Sequence, residues 1–424
     1  MKDIKGKSRI ITAWTFFDWA NSAYPLVITS TIFPIFYENI TRVGDNDTVV
    51  VLGMEFKNTA IYTIALALAN LVTAFLAPFL SGIADYAGRK KTFLMVFTYL
   101  GATACGLIYF FSPQNITLGL MLVMLANIGF NGGLVFYNAF LPEIAPVERQ
   151  DKISARGFAM GYLGSSILLI LNLAFIMSQP QGEQLAYMPW SFVSVGLWWI
   201  LFAQIPFHYL PNNVFDRKPE GNYFLNGYKE LMKSRKELLL DKRLAKFLSA
   251  FFVYNMGVQT VMLVAVLFGS KVLKLAPGQL ITTILILQFV AIAGAYCFSW
   301  LSGKKGNIFT LMCAVFIWIG ICATAYFVTT ATQFYVVASF VGFVMGGIQA
   351  LSRSTYSKML PETQDHASFF SFYDVMDKLC TVCGMGIFAL VEQFWDMRSA
   401  ILALIVFFVV GFLLLLRVPK MKMI

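Results

Sequence analysis

Residues 82–91 read GIADYAGRKK, with Asp85 between Gly82 and Gly88 and three cations, Arg89, Lys90 and Lys91, directly after. The stretch joins two apolar runs, placed at 58–84 and 91–112. A membrane-spanning helix needs about 20 mostly apolar residues, because lipid offers the backbone no hydrogen-bond partner and the helix must satisfy its own groups. Both runs are long enough. The charged turn between them is therefore read as a tight connection at a membrane surface.

The same pattern extends along all 424 residues. The chain is 58% hydrophobic and only 13% charged, with a mean hydropathy of +0.70, far from the ~25% charge of a soluble domain. Twelve spans are expected, at 10–37, 58–84, 91–112, 115–141, 155–178, 189–210, 246–269, 278–301, 307–329, 332–352, 368–391 and 398–417. The first is too long for a cleaved leader and contains Asp18, so it reads as a retained helix. Twenty-six of the 32 Lys and Arg fall at the termini and in the even-to-odd connections, and five on the opposite side. The positive-inside rule places both termini in the cytoplasm. The net charge of +10 thus reports topology and requires no nucleic-acid partner.

A polar connection at 211–245 divides the spans six and six, giving bundles at 1–210 and 246–424. It starts as PNNVFDRKPEGN and continues as a basic amphipathic helix, a pattern suited to anionic headgroups at the cytoplasmic leaflet. An internal repeat supports the division. Tyr137-Asn-Ala-Phe-Leu-Pro-Glu143 follows Gly132-Gly133, and Tyr356-Ser-Lys-Met-Leu-Pro-Glu362 follows Gly346-Gly347. Repeats on the same side fit two halves related by an axis along the membrane normal.

All six cysteines fall inside spans, where thiols pack as small apolar groups. Cys380 and Cys383 have the spacing of a metal or redox pair, but they stand alone on a helix and are read as packing residues; no metal or cofactor is expected. The two histidines, His208 and His366, are far apart and lack a carboxylate at ligand spacing. No phosphate-binding Gly-Lys-Ser/Thr loop is present, which argues against ATP as the energy source. A membrane enzyme, such as a lipid acyltransferase, would need a nucleophile and base that the chain does not display.

Charged residues within the spans narrow the function further. A carboxylate at the centre of a spanning helix costs about 2.5–3.5 kcal/mol on insertion scales, and one that persists faces a cavity or a partner. At 1.5 Å per residue, Asp18 lies about 12 Å from its cytoplasmic end and Lys378 about 15 Å from its own, so the two share a depth. Asp374, one turn from Lys378 on the same helix, competes for it.

The 82–91 loop resembles the signature loop of the major facilitator superfamily, in which the Asp and Arg join a charge network at neighbouring helix ends. The counterpart in the second half, Leu301-Ser-Gly-Lys-Lys-Gly306, lacks the acid. AWTFFDWANSAY (13–24), YNAFLPE (137–143), ARGFAMGYLG (155–164), YNMGVQT (254–260), GGIQALSRS (346–354) and FFSFYDVMDK (369–378) together look like the vacuole-effluxer branch, whose eukaryotic members are autophagy-related vacuolar amino-acid exporters. The resemblance implies an all-α membrane protein with the major facilitator fold, two pseudo-equivalent six-helix bundles, and a central cavity bordered by spans one and eleven. It implies a cytoplasmic gate of Gly82, Asp85, Gly88, Arg89, Glu143, Arg353 and Glu362. The chain departs from the branch at Met256, where an acid is expected, and at Asp377, where a glycine is expected.

On this reading Asp18 and Lys378 approach one another beside a solute. Asn21, Ser22, Asn127, Asn131, Tyr254, Asn255, Gln259, Gln349 and Tyr373 complete the substrate site, and Asp18, Asp374 and Asp377 are the candidates for proton coupling. Amides and a pair of opposite charges suit a small zwitterion, with its carboxylate at Lys378 and its amine at Asp18. The small-residue face of Gly157, Gly161 and Gly164 suits close helix packing. The expectation is a monomeric secondary transporter of a small polar solute, an amino acid first, working by alternating access in a bacterial inner membrane with lipid as its surroundings. A carrier of a sugar, peptide or lipid-like solute, and a non-transporting receptor, are the alternatives.

Overall fold

The computed structural model describes residues 4–42, 48–212, 215, 217 and 222–419. Lys2, Lys420, Lys422 and most of the PNNVFDRKPEGN stretch lie outside the described residues. The chain forms α1 (Ser8–Asn21), a π-helix (Tyr24–Ile32), α2 (Phe33–Thr41), strands β1 (Thr48–Val51) and β2 (Met54–Lys57), α3 (Asn58–Ala87), α4 (Lys90–Leu107) and α5 (Ile116–Ala139). Then come α6 (Leu141–Ile144), α7 (Gln150–Met177), α8 (Gln184–Tyr187), α9 (Pro189–Tyr209), α10 (Tyr223–Leu240), α11 (Lys242–Lys271) and α12 (Pro277–Lys305). The remainder is α13 (Asn307–Ala325), α14 (Ala331–Met359), α15 (His366–Phe394), α16 (Met397–Ala403) and α17 (Ile405–Leu416).

Among the described residues, ten helices are long and apolar enough to cross a membrane, against the twelve spans expected. The difference has two physical causes. The first apolar run is divided into helical pieces of 14, 9 and 9 residues. Pro25 and Pro34 each remove an N–H from the ladder, and the Thr31 hydroxyl donates to the Leu26 carbonyl five residues back, as a π-turn allows. The second exception is α15, which is 29 residues long but carries Asp374, Asp377 and Lys378 near its middle. The 43–57 connection contains a hairpin that periodicity did not reveal. Its β1 and β2 pair antiparallel around Leu52 and Gly53, both at positive φ, as a two-residue hairpin turn requires.

Two compact units emerge, and they differ from the expected halves. One comprises residues 1–140 and 160–231; the other comprises 141–159 and 232–424. The segment Leu141–Ala159, which runs into the start of the fifth expected span, thus belongs with the C-terminal unit. The amphipathic stretch is also interrupted. Asp241 ends α10 and caps α11, its carboxylate accepting from the N–H groups of Arg243 and Leu244, so α11 begins at Lys242 rather than 246.

Small residues set the helix spacing inside each unit. In the N-terminal unit Gly101 and Gly129 bring α4 and α5 together; a Cβ on Gly129 would lie 2.3 Å from the Gly101 Cα. A Cβ on Gly161 would meet Ser22 Oγ at 2.5 Å, and one on Gly164 would meet the Trp19 carbonyl at 2.8 Å, so α7 rests directly on α1. In the C-terminal unit α12 and α14 meet through Gly294, Gly342 and Gly346, whose added Cβ atoms would come within 1.9, 2.5 and 2.1 Å of opposing carbonyl oxygens. Without a hydrophobic drive between helices in lipid, such close backbone approach supplies the packing attraction.

Gly346→Val should therefore lower stability by about 1–3 kcal/mol through overpacking, whereas Gly320→Ala, where an added Cβ meets nothing within 4 Å, should not. Thermal unfolding of the purified variants checks both.

Candidate functional site

In the N-terminal unit, Asp18 is 5% exposed and its Oδ2 accepts a 2.7 Å hydrogen bond from the Tyr137 hydroxyl. Tyr137 is fixed in turn. Its ring stacks on Trp14 and Phe17, with centroids at 4.4 and 4.8 Å, and its carbonyl accepts from the Trp14 indole at 2.9 Å. The TFFDWA and YNAFLPE segments thus meet at a single carboxylate. Sequence reading had singled out Asp18 but not Tyr137, because nothing in the sequence relates residues 119 apart.

Farther along the same unit is an amide chain. Asn131 Nδ2 donates to Asn127 Oδ1 at 2.7 Å and to Asn70 Oδ1 at 3.2 Å, linking α5 to α3. Asn70 was missed, although an amide in the apolar run IALALANLV was the available signal. Asn21 is fully buried, and among the described residues neither its amide oxygen nor its amide nitrogen has a hydrogen-bond partner. Ser22 caps α1 beneath Gly161. Tyr24 lies between Phe130 and Trp199.

The 82–91 loop follows from local backbone rules. Gly88, at φ +64°, is the left-handed residue that ends α3; its N–H donates to the Asp85 carbonyl and that of Arg89 to Ala84. The Asp85 carboxylate is buried and faces Lys90 at 3.9 Å, while Arg89, the cation expected in this network, is exposed. The Asp85 carbonyl also takes a hydrogen bond from Arg217. Gly82 admits Gly227 of α10: a Cβ there would lie 2.3 Å from the Gly227 carbonyl oxygen.

In the C-terminal unit, Leu141–Ala159 is held by three sets of bonds. Asp151 accepts from Lys358 at 2.6 Å, Ser302 at 2.8 Å and Asn307 at 2.8 Å. Arg353 donates to the Ser154 hydroxyl and carbonyl, both at 2.9 Å, and stacks over the Phe158 ring. Glu143 and His366 Nδ1 are 2.9 Å apart, with the glutamate side chain fully buried. Of the expected gate residues, Glu143 and Arg353 are in this network and Glu362 is exposed outside it. The two YxxxLPE repeats have therefore diverged: the first Glu is buried in α6, and the second follows the end of α14. Asp151, Ser154, Asn307, Lys358 and the pairing of Glu143 with His366 were not anticipated, since these partners are 151–223 residues apart.

Deeper in this unit, Lys378 is hydrogen-bonded to Asp374, the competitor on its own helix. Asp377 faces α11, where Asn255 Nδ2 and Gln259 Nε2 both donate to its Oδ1, at 2.7 and 2.8 Å. These two amides flank Met256, so the carboxylate missing from α11 is replaced by one reaching it from α15. The Tyr254 hydroxyl bonds Ser352 at 2.7 Å, Tyr373 stacks between Phe251 and Tyr356, and Gln349 contacts the Met262 sulfur at 3.5 Å. An apolar cavity of about 50 Å³ lined by Val261, Val264, Phe268, Leu287, Ile321 and Phe334 contains none of these polar groups and does not suit a polar solute.

Residues 6–423 match the family model described as "Vacuole effluxer Atg22 like". The chain belongs to that family. Over 419 residues it is 34% identical to the MFS-type transporter YxiO of Bacillus subtilis, covering 96% of this chain and 94% of the relative. It is 24% identical to autophagy-related protein 22 of Yarrowia lipolytica, covering 85% and 75% of the two chains. Among solved structures, the human organic anion transporter MFSD10 superposes with a TM-score of 0.77 at 12% identity, covering 97% of this chain and 99% of that one. The proton:xylose symporter XylE superposes with a TM-score of 0.73 at 12% identity, covering 98% and 96%. These likenesses establish the major facilitator fold. This Atg22-like protein is a multi-pass membrane transporter, not an enzyme.

Asp151→Asn would leave the Lys358 side chain, nine-tenths buried, facing no opposite charge. Loss of a buried partner should cost about 3 kcal/mol, seen as a lower unfolding temperature. Replacing Lys358 by Met in the same chain should recover part of it, and the exposed Glu362→Gln should change stability by no more than about 0.5 kcal/mol.

Proposed function

We propose that this Atg22-like transporter is a secondary carrier of small polar solutes, amino acids foremost. It works as a monomer by alternating access in a bacterial inner membrane, with both termini in the cytoplasm. The observation that carries the reading is the set of charged and amide side chains placed on apolar helices: Asp18 with Tyr137 in one unit, and Asp374, Asp377 and Lys378 with Asn255 and Gln259 in the other. Charges at such positions are costly and are kept where ions or polar solutes pass. The buried Asn21 amide, with neither atom bonded, offers a donor and an acceptor to a solute.

Asp18, Asn21, Ser22, Asn127 and Asn131 are the proposed contacts from the N-terminal unit, and Tyr254, Asn255, Gln259, Gln349, Tyr373 and Lys378 those from the C-terminal unit. Coupling to protons runs through Asp18, Asp374 or Asp377. Gly82, Asp85, Gly88, Arg89, Glu143, Arg353 and Glu362 are the proposed cytoplasmic gate. The family description, a vacuole effluxer, favours efflux, and charged side chains beside amides favour a zwitterion over a sugar.

A thermal-shift screen on purified protein identifies solutes that bind the native state. With a solute so found, Asp18→Asn should reduce the initial uptake rate in proteoliposomes by about tenfold or more, the cost of one charge-assisted contact; an unchanged rate would confine Asp18 to its bond with Tyr137. An imposed pH gradient should change the wild-type rate, and indifference to it would remove proton coupling.

A further inference from the structure

Within α15 the three mid-helix charges do not balance. Lys378 pairs with Asp374 and, among the described residues, no cation pairs with Asp377, which leaves one negative charge answered only by amides. A carboxylate accepts and cannot donate, so both amides must turn their nitrogens toward it. Among the described residues, neither Gln259 Oε1 nor Asp377 Oδ2 forms a hydrogen bond. Among the described residues, Asp377 thus keeps one charged oxygen without a hydrogen-bond donor, while the two amides between α11 and α15 hold its other oxygen in place. Asp377 and Gln259 are only half-buried, so the group is reachable.

We propose that Asp377, Asn255 and Gln259 form the receptor for the ammonium group of the transported solute. The inference rests on the carrier reading above and adds where the positive end of the solute binds. An ammonium brings N–H donors and one positive charge to a carboxylate whose negative charge is answered only by amides. The Lys378 ammonium is already committed to Asp374, so the local charge selects a cationic group. Tyr373 lies one turn before Asp377 on α15 and is held by Phe251 and Tyr356, which places an aromatic ring on the approach from that side.

The test uses the full chain, with L-alanine, L-leucine and ethanolamine as probes and propionate and 4-methylpentanoate as deaminated counterparts. Binding is read by thermal shift, and uptake is measured in proteoliposomes. Wild-type protein should respond to an amine-bearing probe and ignore its deaminated partner. Asp377→Asn keeps an acceptor for the amides and should fold, yet lose about tenfold or more in affinity for the amine and with it the discrimination. The double variant Asp377→Asn with Gln259→Glu moves the carboxylate across the 2.8 Å hydrogen bond and should recover part of the discrimination, which restored packing alone would not do.

The proposal is overturned if Asp377→Asn discriminates as wild type does, or if no amine-bearing probe is bound while another solute is carried. It is equally overturned if the variant loses only its response to a pH gradient, or only a sodium-dependent shift measured against choline; the site would then hold a proton or a metal ion. Absence of flux for every solute in the wild-type protein would instead remove the carrier reading itself.

Discussion

An ion in the apolar layer of a membrane must be answered, and the whole arrangement of this molecule follows from how each answer is made. Asp18 is met by a hydroxyl that two aromatic rings hold in place. Lys378 is met by the carboxylate one turn away on its own helix. Asp377 is met only by amides from the neighbouring helix, a weaker reply than a full opposite charge. The three cases form a series from closed to open, and the most open one belongs to the helix too polar to pass as an ordinary span.

The charges holding Leu141–Ala159 follow a different rule. Asp151 has three donors and Arg353 has both a hydroxyl and a carbonyl, so these groups are nearly saturated. A saturated network of this kind fixes one geometry, because each lost bond strands a buried partner. The segment reaches only the start of the fifth expected span yet is grouped with the last six, a pairing made by side chains rather than by chain order.

Length, hydropathy and charge asymmetry made the fold legible, since a spanning helix announces itself within 20 residues of sequence. The Gly82–Lys91 loop was equally readable, because its φ requirement is local. What stayed hidden was of two kinds. Partners such as Tyr137 for Asp18 and His366 for Glu143 are far apart in sequence and look ordinary alone. Local symmetry misled as well: Glu362 repeats Glu143 in motif but not in burial, and Arg89 has the expected position while Lys90 makes the contact. The absent acid at Met256 and the added one at Asp377 were both legible as departures, a carboxylate shifted from the seventh span to the eleventh, and the structure adds its bonds to Asn255 and Gln259.

The π-helix at Tyr24–Ile32 has a bearing on how this chain tolerates change. A π-turn holds more residues than an α-turn, so this segment stores surplus chain in an otherwise taut span. Losing a residue here tightens the winding, and gaining one widens it; in either case the strain is taken up on the spot. Elsewhere in the bundles, where glycines press against opposing carbonyls, the same insertion would swing every later side chain to a new bearing. Length variation among related sequences thus has one natural reservoir in the first span, and it lies just beyond the carboxylate whose orientation must not turn.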